Sequence, residues 1–288
     1  MEALLEKITE WMKELLVSAS VHSLTGLFDS VNDQVGQVAA EVGTSPASFQ
    51  PGIFSMIQNL SETVIMPVAG IILTFVACYE LIRLVTDNNN LANIDIWILF
   101  KWIFKTALAA MIVSNTFNIV MAVFDLGQYV VSSSAGIIQG TTAIDASTIG
   151  DIKTELEAME LGPLLGLCIE VMLLSIALKI LAAIIFVIVY GRMLEIYLMT
   201  SLAPIPMATL ANREQSMVGQ NFFRSILALA FQGFLMMVCI GIYALLIQSF
   251  SVSGDMLKDF WKVVGYTILL AFSLFKTGSL SKGILNAH

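Results

Sequence analysis

The sequence predicts an all-α, polytopic transmembrane helical bundle of about five spans plus one proline-broken re-entrant or interfacial segment. Three observations predict it: 57% hydrophobic against 12% charged residues over 288 positions, a mean hydropathy of +0.85, and several long runs without charge. So much apolar surface exceeds what a soluble core of this size hides. The runs include 106–124 and 225–250, while 164–190 is interrupted only by Glu170 and Lys179. At about 1.5 Å per helical residue, each crosses roughly 30 Å of hydrocarbon. Barrel strands are excluded, because the runs lack apolar/polar alternation and lipid satisfies no backbone group.

Residues 1–61 read as an extracytoplasmic N-terminal tail. Within it Leu4, Leu5, Ile8, Trp11, Met12, Leu15 and Leu16 recur at helical spacing opposite Glu6, Lys7, Glu10, Lys13 and Glu14, so 1–20 is an amphipathic helix. Its acids outnumber its lysines, which gives no attraction to anionic lipid; the apolar face docks on a membrane surface, a partner protein or the chain's own bundle. No basic region precedes an apolar core, so the start is not a cleavable secretory signal. Residues 29–60 are polar, with Gly43, Pro46, Pro51 and Gly52, and read as linker with one short helix.

Residues 62–124 hold the first two spans, Val64–Ile82 and 106–124, with Pro67 near the start of the first, where a missing amide costs little. An acidic extracytoplasmic loop follows over 125–163, where Asp125, Asp145, Asp151, Glu155, Glu157 and Glu160 outnumber Lys153. Asp151–Met159 forms a short helix ended before Gly162-Pro163. The loop is either a docking surface or a solvated connector.

Residues 164–288 form a C-terminal membrane domain with spans 164–190, 225–250 and 263–285, the last needing Lys262 and Lys276 to snorkel toward headgroups. Leu194–Leu210 is apolar but carries Glu195, Pro204 and Pro206, and reads as the broken segment. With five spans, the basic groups Arg83/Lys101/Lys105, Arg192/Arg213/Arg224 and Lys276/Lys282 fall on one side. Basic residues are retained in the cytoplasm, so the N-terminus is outside and the C-terminus inside.

Cys78, Cys168 and Cys239 each stand alone in an apolar segment and read as packing residues. His22 and His288 have no metal-ligand spacing. No serine has a histidine base in reach of the pattern, and no phosphate loop is present. An enzyme, a cofactor and a metal are therefore not expected. Nor is there a basic patch that would neutralise several phosphates, so nucleic acid is at most contacted sparsely.

Ionisable groups within a span cost about 2.5–3.5 kcal/mol and invite a functional question. Lys179 lies near the middle of its run, nine positions after Glu170, on the opposite helix face. It must pair with another span, a neighbouring subunit or a lipid phosphate, or lie neutral. Lys101, Lys105 and Asn115 share one stripe, which suggests a helix contact or a wetted face. Gln232 and Gln248 suit interhelical bonds, and Arg192 and Glu195, three apart, suit an ion pair on one helix face.

The most distinctive stretch is 192–248: an apolar helix, LAPIP at 202–206, NRE at 212–214, GQNFFRS at 219–225, then a glutamine-bearing apolar span. It resembles the TrbL family of conjugative type IV secretion proteins, the sixth VirB-type component, in the compact form of Gram-positive mobile elements. The resemblance rests on Pro204, Pro206, Asn212, Arg213, Glu214, Gly219, Gln220, Asn221, Arg224, Gln232 and Gly233. It implies a homo-oligomeric, multi-pass subunit of the bacterial cytoplasmic membrane without catalysis of its own. Its partners would be membrane lipid, the energising ATPases and extracytoplasmic channel components, with transferred DNA or protein held only transiently. Two other classes stay open: a secondary transporter or ion channel with a mid-membrane Lys179/Glu170 site, and a non-conducting membrane scaffold.

Overall fold

A computed structural model of the protein describes residues 2–87, 96–138, 153–212, 214–248 and 256–287. Among these residues the chain is helical and contains no strand. Helix α1 covers Glu2–Val42, α2 Pro46–Phe49 and α3 Pro51–Leu60; a π-helical turn, Ser61–Ile65, leads into α4, Met66–Asp87. Helices α5 (Ile96–Ser114) and α6 (Thr116–Ile138) follow, then α7 at 153–158 and α8, Leu161–Leu202. After α8 come α9 (Pro204–Ala208), a 3-10 turn at Thr209–Ala211, α10 (Ser216–Gln248) and α11 (Met256–Ile284).

Five of the described helices are long and apolar enough to cross a membrane: Pro51–Thr86, Ile96–Ser114, Leu161–Leu202, Ser216–Ile247 and Trp261–Ile284. Their outward faces are apolar, with Ile71, Phe75, Ile96, Phe104, Met111 and Phe275 all more than half exposed. Such faces suit a hydrocarbon solvent and are untenable in water. The chain is a multi-pass membrane protein.

Several boundaries differ from those read in the sequence, each for a local reason. The polar stretch after residue 28 is not a linker, since α1 continues unbroken to Val42. Val38 and Val42 sit one turn apart and are buried, a helical spacing that the polar composition masks. Along the first half of α1 the apolar stripe stays uncovered, with Ile8, Trp11 and Leu15 exposed.

Pro67 is not near a helix start, because the first span begins at Pro51. A proline in a helix body lacks its amide and crowds the carbonyl four residues back. The π turn just before it, closed by the Met66 amide bonding the Ser61 carbonyl, widens the helix and lets it pass through.

The second span is Ile96–Ser114 rather than 106–124. The helix is interrupted at Asn115, whose side-chain amide turns back to the Met111 carbonyl at 2.9 Å. Lys101 and Lys105 lie inside this span rather than flanking it, and Asp125 lies within α6 rather than in a loop. Residues 139–152, which carry Asp145 and Asp151, lie outside the described residues.

The chain divides into two compact units. The first comprises 1–42, 132–189 and 236–276. In it Leu164, Leu167, Val171, Leu174 and Leu178 form the buried stripe of α8, and the Tyr243 and Thr267 hydroxyls are 2.8 Å apart across α10 and α11. The second comprises 43–131, 190–235 and 277–288. Its core joins Phe117, Val120 and Phe124 of α6 to Met193, Ile196 and Tyr197 of α8 and to Ile226 and Leu229 of α10. That packing keeps residues 193–202 helical, so the broken segment begins at Ala203 and not at Leu194.

Candidate functional site

The second unit holds the proline break and the polar groups around it. Helix α8 stops at Leu202 because Pro204 has no amide to continue it, and Pro204 then serves as the first residue of α9. Several backbone groups at the break find protein partners. The Ala203 amide bonds the Thr200 carbonyl at 3.3 Å, and the Asn212 amide bonds the Thr209 carbonyl at 3.2 Å. The Thr209 hydroxyl donates to the Pro206 carbonyl at 2.7 Å and accepts from the Gly219 amide at 3.1 Å.

Asn212 closes the turn into α10. Its Oδ1 accepts from the amides of Glu214 at 2.7 Å and Gln215 at 3.4 Å, and its carbonyl accepts from the Ser216 amide at 2.8 Å. Amides at a helix start lack internal partners, and a short polar side chain satisfies them. Gly219 lets α10 press against this turn: a β-carbon there would lie 2.7 Å from the Pro206 carbonyl oxygen and from Leu210 Cγ.

The broken segment is clad by α4 and α5. Ala208 and Ala211 pack with Ala69, Leu73 and Val76 of α4 and with Ala109 and Val113 of α5, small side chains allowing close approach. Glu214 then bonds Arg83 at the end of α4, with the Tyr79 hydroxyl 3.5 Å away. This pair is half-exposed and adds little stability, at most about 1 kcal/mol, but it fixes which end of α4 the loop meets.

A polar seam joins the C-terminal parts of α8 and α11 to the middle of α10. Gln232 Nε2 is 3.4 Å from Thr277 Oγ1, and the Ser281 hydroxyl donates to the Ala228 carbonyl. Glu195 pairs with Lys282 at 2.8 Å, not with Arg192 one turn earlier as the spacing suggested. Arg192 is instead buried, 7% exposed, with its guanidinium against Gly233. Its Nε and Nη1, and Oε1 of Gln232, have no hydrogen-bond partner. These groups can order helices and hold polar contacts in apolar surroundings. Among the described residues no three metal-ligating side chains come together.

The structure brings only part of the sequence-derived set together. Pro204, Pro206, Asn212, Glu214 and Gly219 form the break, while Gln232 and Gly233 lie on the seam. Gln220 and Arg224 are exposed on α10, and Asn221 is half-buried with its carbonyl accepting from Ser225. Arg213 lies outside the described residues. On α5, Lys105 pairs with Glu80 at 2.9 Å, Lys101 stands 6.0 Å from the Trp97 ring, and Asn115 is exposed, so the stripe is only partly a helix contact. Lys179 and Glu170 belong to the first unit, one exposed and one half-buried, and neither bonds a described residue.

Sequence reasoning missed Thr209, Glu80 and Thr277, and used Arg83 and Lys282 for orientation without their partners. Thr209 was within reach, standing three residues after Pro206 where a hydroxyl reaches back to a carbonyl. The others are distant in sequence from their partners, and nothing local marks them.

The family described as TrbL/VirB6 plasmid conjugal transfer like protein has a model that matches residues 31–204, more than half of the chain. The match reaches the first proline of the break and leaves the NRE turn and α10 beyond it. No curated protein and no solved structure matches the chain.

Proposed function

The chain belongs to the TrbL/VirB6 plasmid conjugal transfer-like family, a multi-pass membrane component of conjugal transfer, and from that premise we propose that it is a channel or platform subunit of a conjugative type IV secretion system. In this role it helps carry DNA or protein substrate across the cytoplasmic membrane and performs no catalysis itself. It assembles as a homo-oligomer, beside energising ATPases and extracytoplasmic channel components, and meets its cargo transiently.

The observation that carries the reading is the clad break at Ala203–Asn212. Lipid tolerates no loose backbone at membrane depth unless protein covers it or it lines a wetted cavity. Here a one-turn helix and a 3-10 turn, set off from α8 by the prolines, are packed against the first half of α4 and the last turns of α5, both in membrane-capable helices, with backbone groups held by Thr209, Asn212 and their neighbours.

We extend the proposal to the orientation that the basic residues suggest, N-terminus outside and C-terminus inside. The pairs Arg83–Glu214 and Lys282–Glu195 join neighbouring elements without choosing a side of the membrane. External labelling of a cysteine placed at 145 but not at 214 checks the orientation; the converse pattern overturns it.

Deletion with complementation in a conjugation assay tests the function. Loss of transfer, with growth and membrane integrity unchanged, is the expected result. Normal transfer after deletion contradicts it.

A further inference from the structure

In the second unit Glu62 and Arg224 are opposite charges, both exposed, in two different membrane-capable helices. Glu62 lies in the π-helical turn of the first span, and Arg224 lies on α10. Glu62 accepts a hydrogen bond from the Gln58 side chain at 3.0 Å, and neither charge forms an ion pair with a described residue. By contrast Glu80, Glu195 and Glu214 of this unit each hold a basic partner. An ionisable group on a spanning helix is costly until it is paired.

Each charge belongs to a polar face. Ser55, Asn59, Glu62 and Thr63 are exposed at helical spacing along α3 and the π turn, beside an apolar stripe of Ile53, Met56 and Leu60. On α10 Gln220 and Arg224 are exposed one turn apart. Side-chain amides and hydroxyls on such faces bond neighbouring helices in a bilayer.

The two charges also stand at nearly one level. Helix α9 touches the π turn and packs against Ala69 on one side, and its Pro206 carbonyl meets Gly219 of α10 on the other. Because Arg83 meets Glu214, Glu62 and Arg224 both lie on the side of α9 away from that pair. Glu62 is seven residues before Ala69, about 10 Å, and Arg224 is five residues past Gly219, about 7 Å. The offset of roughly 3 Å is less than an arginine side chain spans. Asp125 of α6 is also exposed and unpaired, but α6 runs with Gly127 against Ala230 and Val131 against Gly233. That sets Asp125 about 6 Å past Arg224, with the apolar Leu126 and Tyr129 exposed beside it.

In a ring of like-oriented copies each residue keeps its depth from chain to chain, so a contact between neighbours joins two different faces at a common level. We propose, on the homo-oligomeric reading above, that Glu62 of one copy pairs with Arg224 of the next, the α3 and π-turn stripe docking on the Gln220 and Arg224 face of α10. Only a head-to-tail contact brings the opposite charges together. Either face meeting itself across a two-fold axis would set like charges side by side.

The test uses the full chain with Cys78, Cys168 and Cys239 replaced, oxidised in membranes of cells that carry no other transfer component. Chains with both Glu62→Cys and Arg224→Cys are expected to form a ladder of disulfide-linked multimers, whereas co-expressed chains with one substitution each stop at the dimer. Charge reversal gives a second readout. Glu62→Arg or Arg224→Glu alone lowers the oligomer fraction on native gels about tenfold, within the range for coupled charges, and the two reversals in one chain restore it. Restoration also shows that the variants fold. Dimers from Glu62→Cys alone overturn the proposal, since the stripe would then meet itself. So does a disulfide closed within one chain, or a ladder from Asp125→Cys with Arg224→Cys in place of Glu62→Cys. An oligomer without cross-links between 62 and 224 overturns this interface and spares the homo-oligomeric reading; a chain that stays monomeric overturns both.

Discussion

Pro206 and Gly219 meet so closely that the carbonyl oxygen of one occupies the space a β-carbon on the other would need, 2.7 Å away. This approach joins the proline break to the first turn of α10, and Thr209 bridges the same two residues through its hydroxyl. Gly219→Ala is therefore expected to destabilise the detergent-solubilised protein by about 1–3 kcal/mol, the usual cost of overpacking. Gly265→Ala, where a β-carbon meets nothing within 4 Å, is the control. In a helix interior it is neutral or stabilising by up to about 1 kcal/mol. Paired thermal unfolding curves check both.

Thr209→Val keeps the shape and removes the bridge. Two hydrogen bonds are lost, one from a hydroxyl to a backbone carbonyl and one from a backbone amide. A loss of about 1–3 kcal/mol is expected, with the Gly219 amide exchanging faster with solvent in hydrogen-exchange measurements. Unchanged exchange at Gly219 contradicts the relay.

Asn212→Ala removes the acceptor for two amides at the entry to α10. The expected cost is about 1 kcal/mol, and Asn212→Ser recovers part of it because a hydroxyl also caps. Thermal unfolding of the two variants in the same detergent orders them.

Arg192 has the opposite sign. Its guanidinium is buried with two nitrogens unpartnered, so an apolar side chain of similar length should fit at no loss. Arg192→Met is expected to be neutral or more stable by about 1–4 kcal/mol, as when other buried charges are replaced. If transfer nevertheless falls, the arginine is retained for function. A destabilisation above about 2 kcal/mol would mean that the guanidinium has a partner.

The helical membrane class was legible because charge-free runs are long and the physics of the bilayer allows few alternatives. Boundaries were less so. Charge was used as the marker of a span's end, yet Lys105 lies inside α5 because Glu80 neutralises it, and Asp125 lies inside α6. Pro67 marked a start by local rules, while a π turn carries the helix past it. At the break, Pro204, Pro206 and Asn212 were visible because their effects are local. The partners that hold the break, Arg83 on α4 and the Ala69–Ala109 surface, are set by folding across more than a hundred residues. The same holds for Glu195, whose choice of Lys282 over Arg192 depends on α11 arriving beside α8.

The central claim is that the clad break borders the route of the transferred substrate. With Cys78, Cys168 and Cys239 replaced, single cysteines at the exposed positions Leu202 and Met217, on either side of the break, would be cross-linked during active conjugation. The account predicts recovery of transferred DNA or protein attached at both positions, dependent on a functioning transfer apparatus. Attachment of partner subunits at Trp11 on the exposed stripe of α1, with no substrate ever captured at 202 or 217, would contradict it.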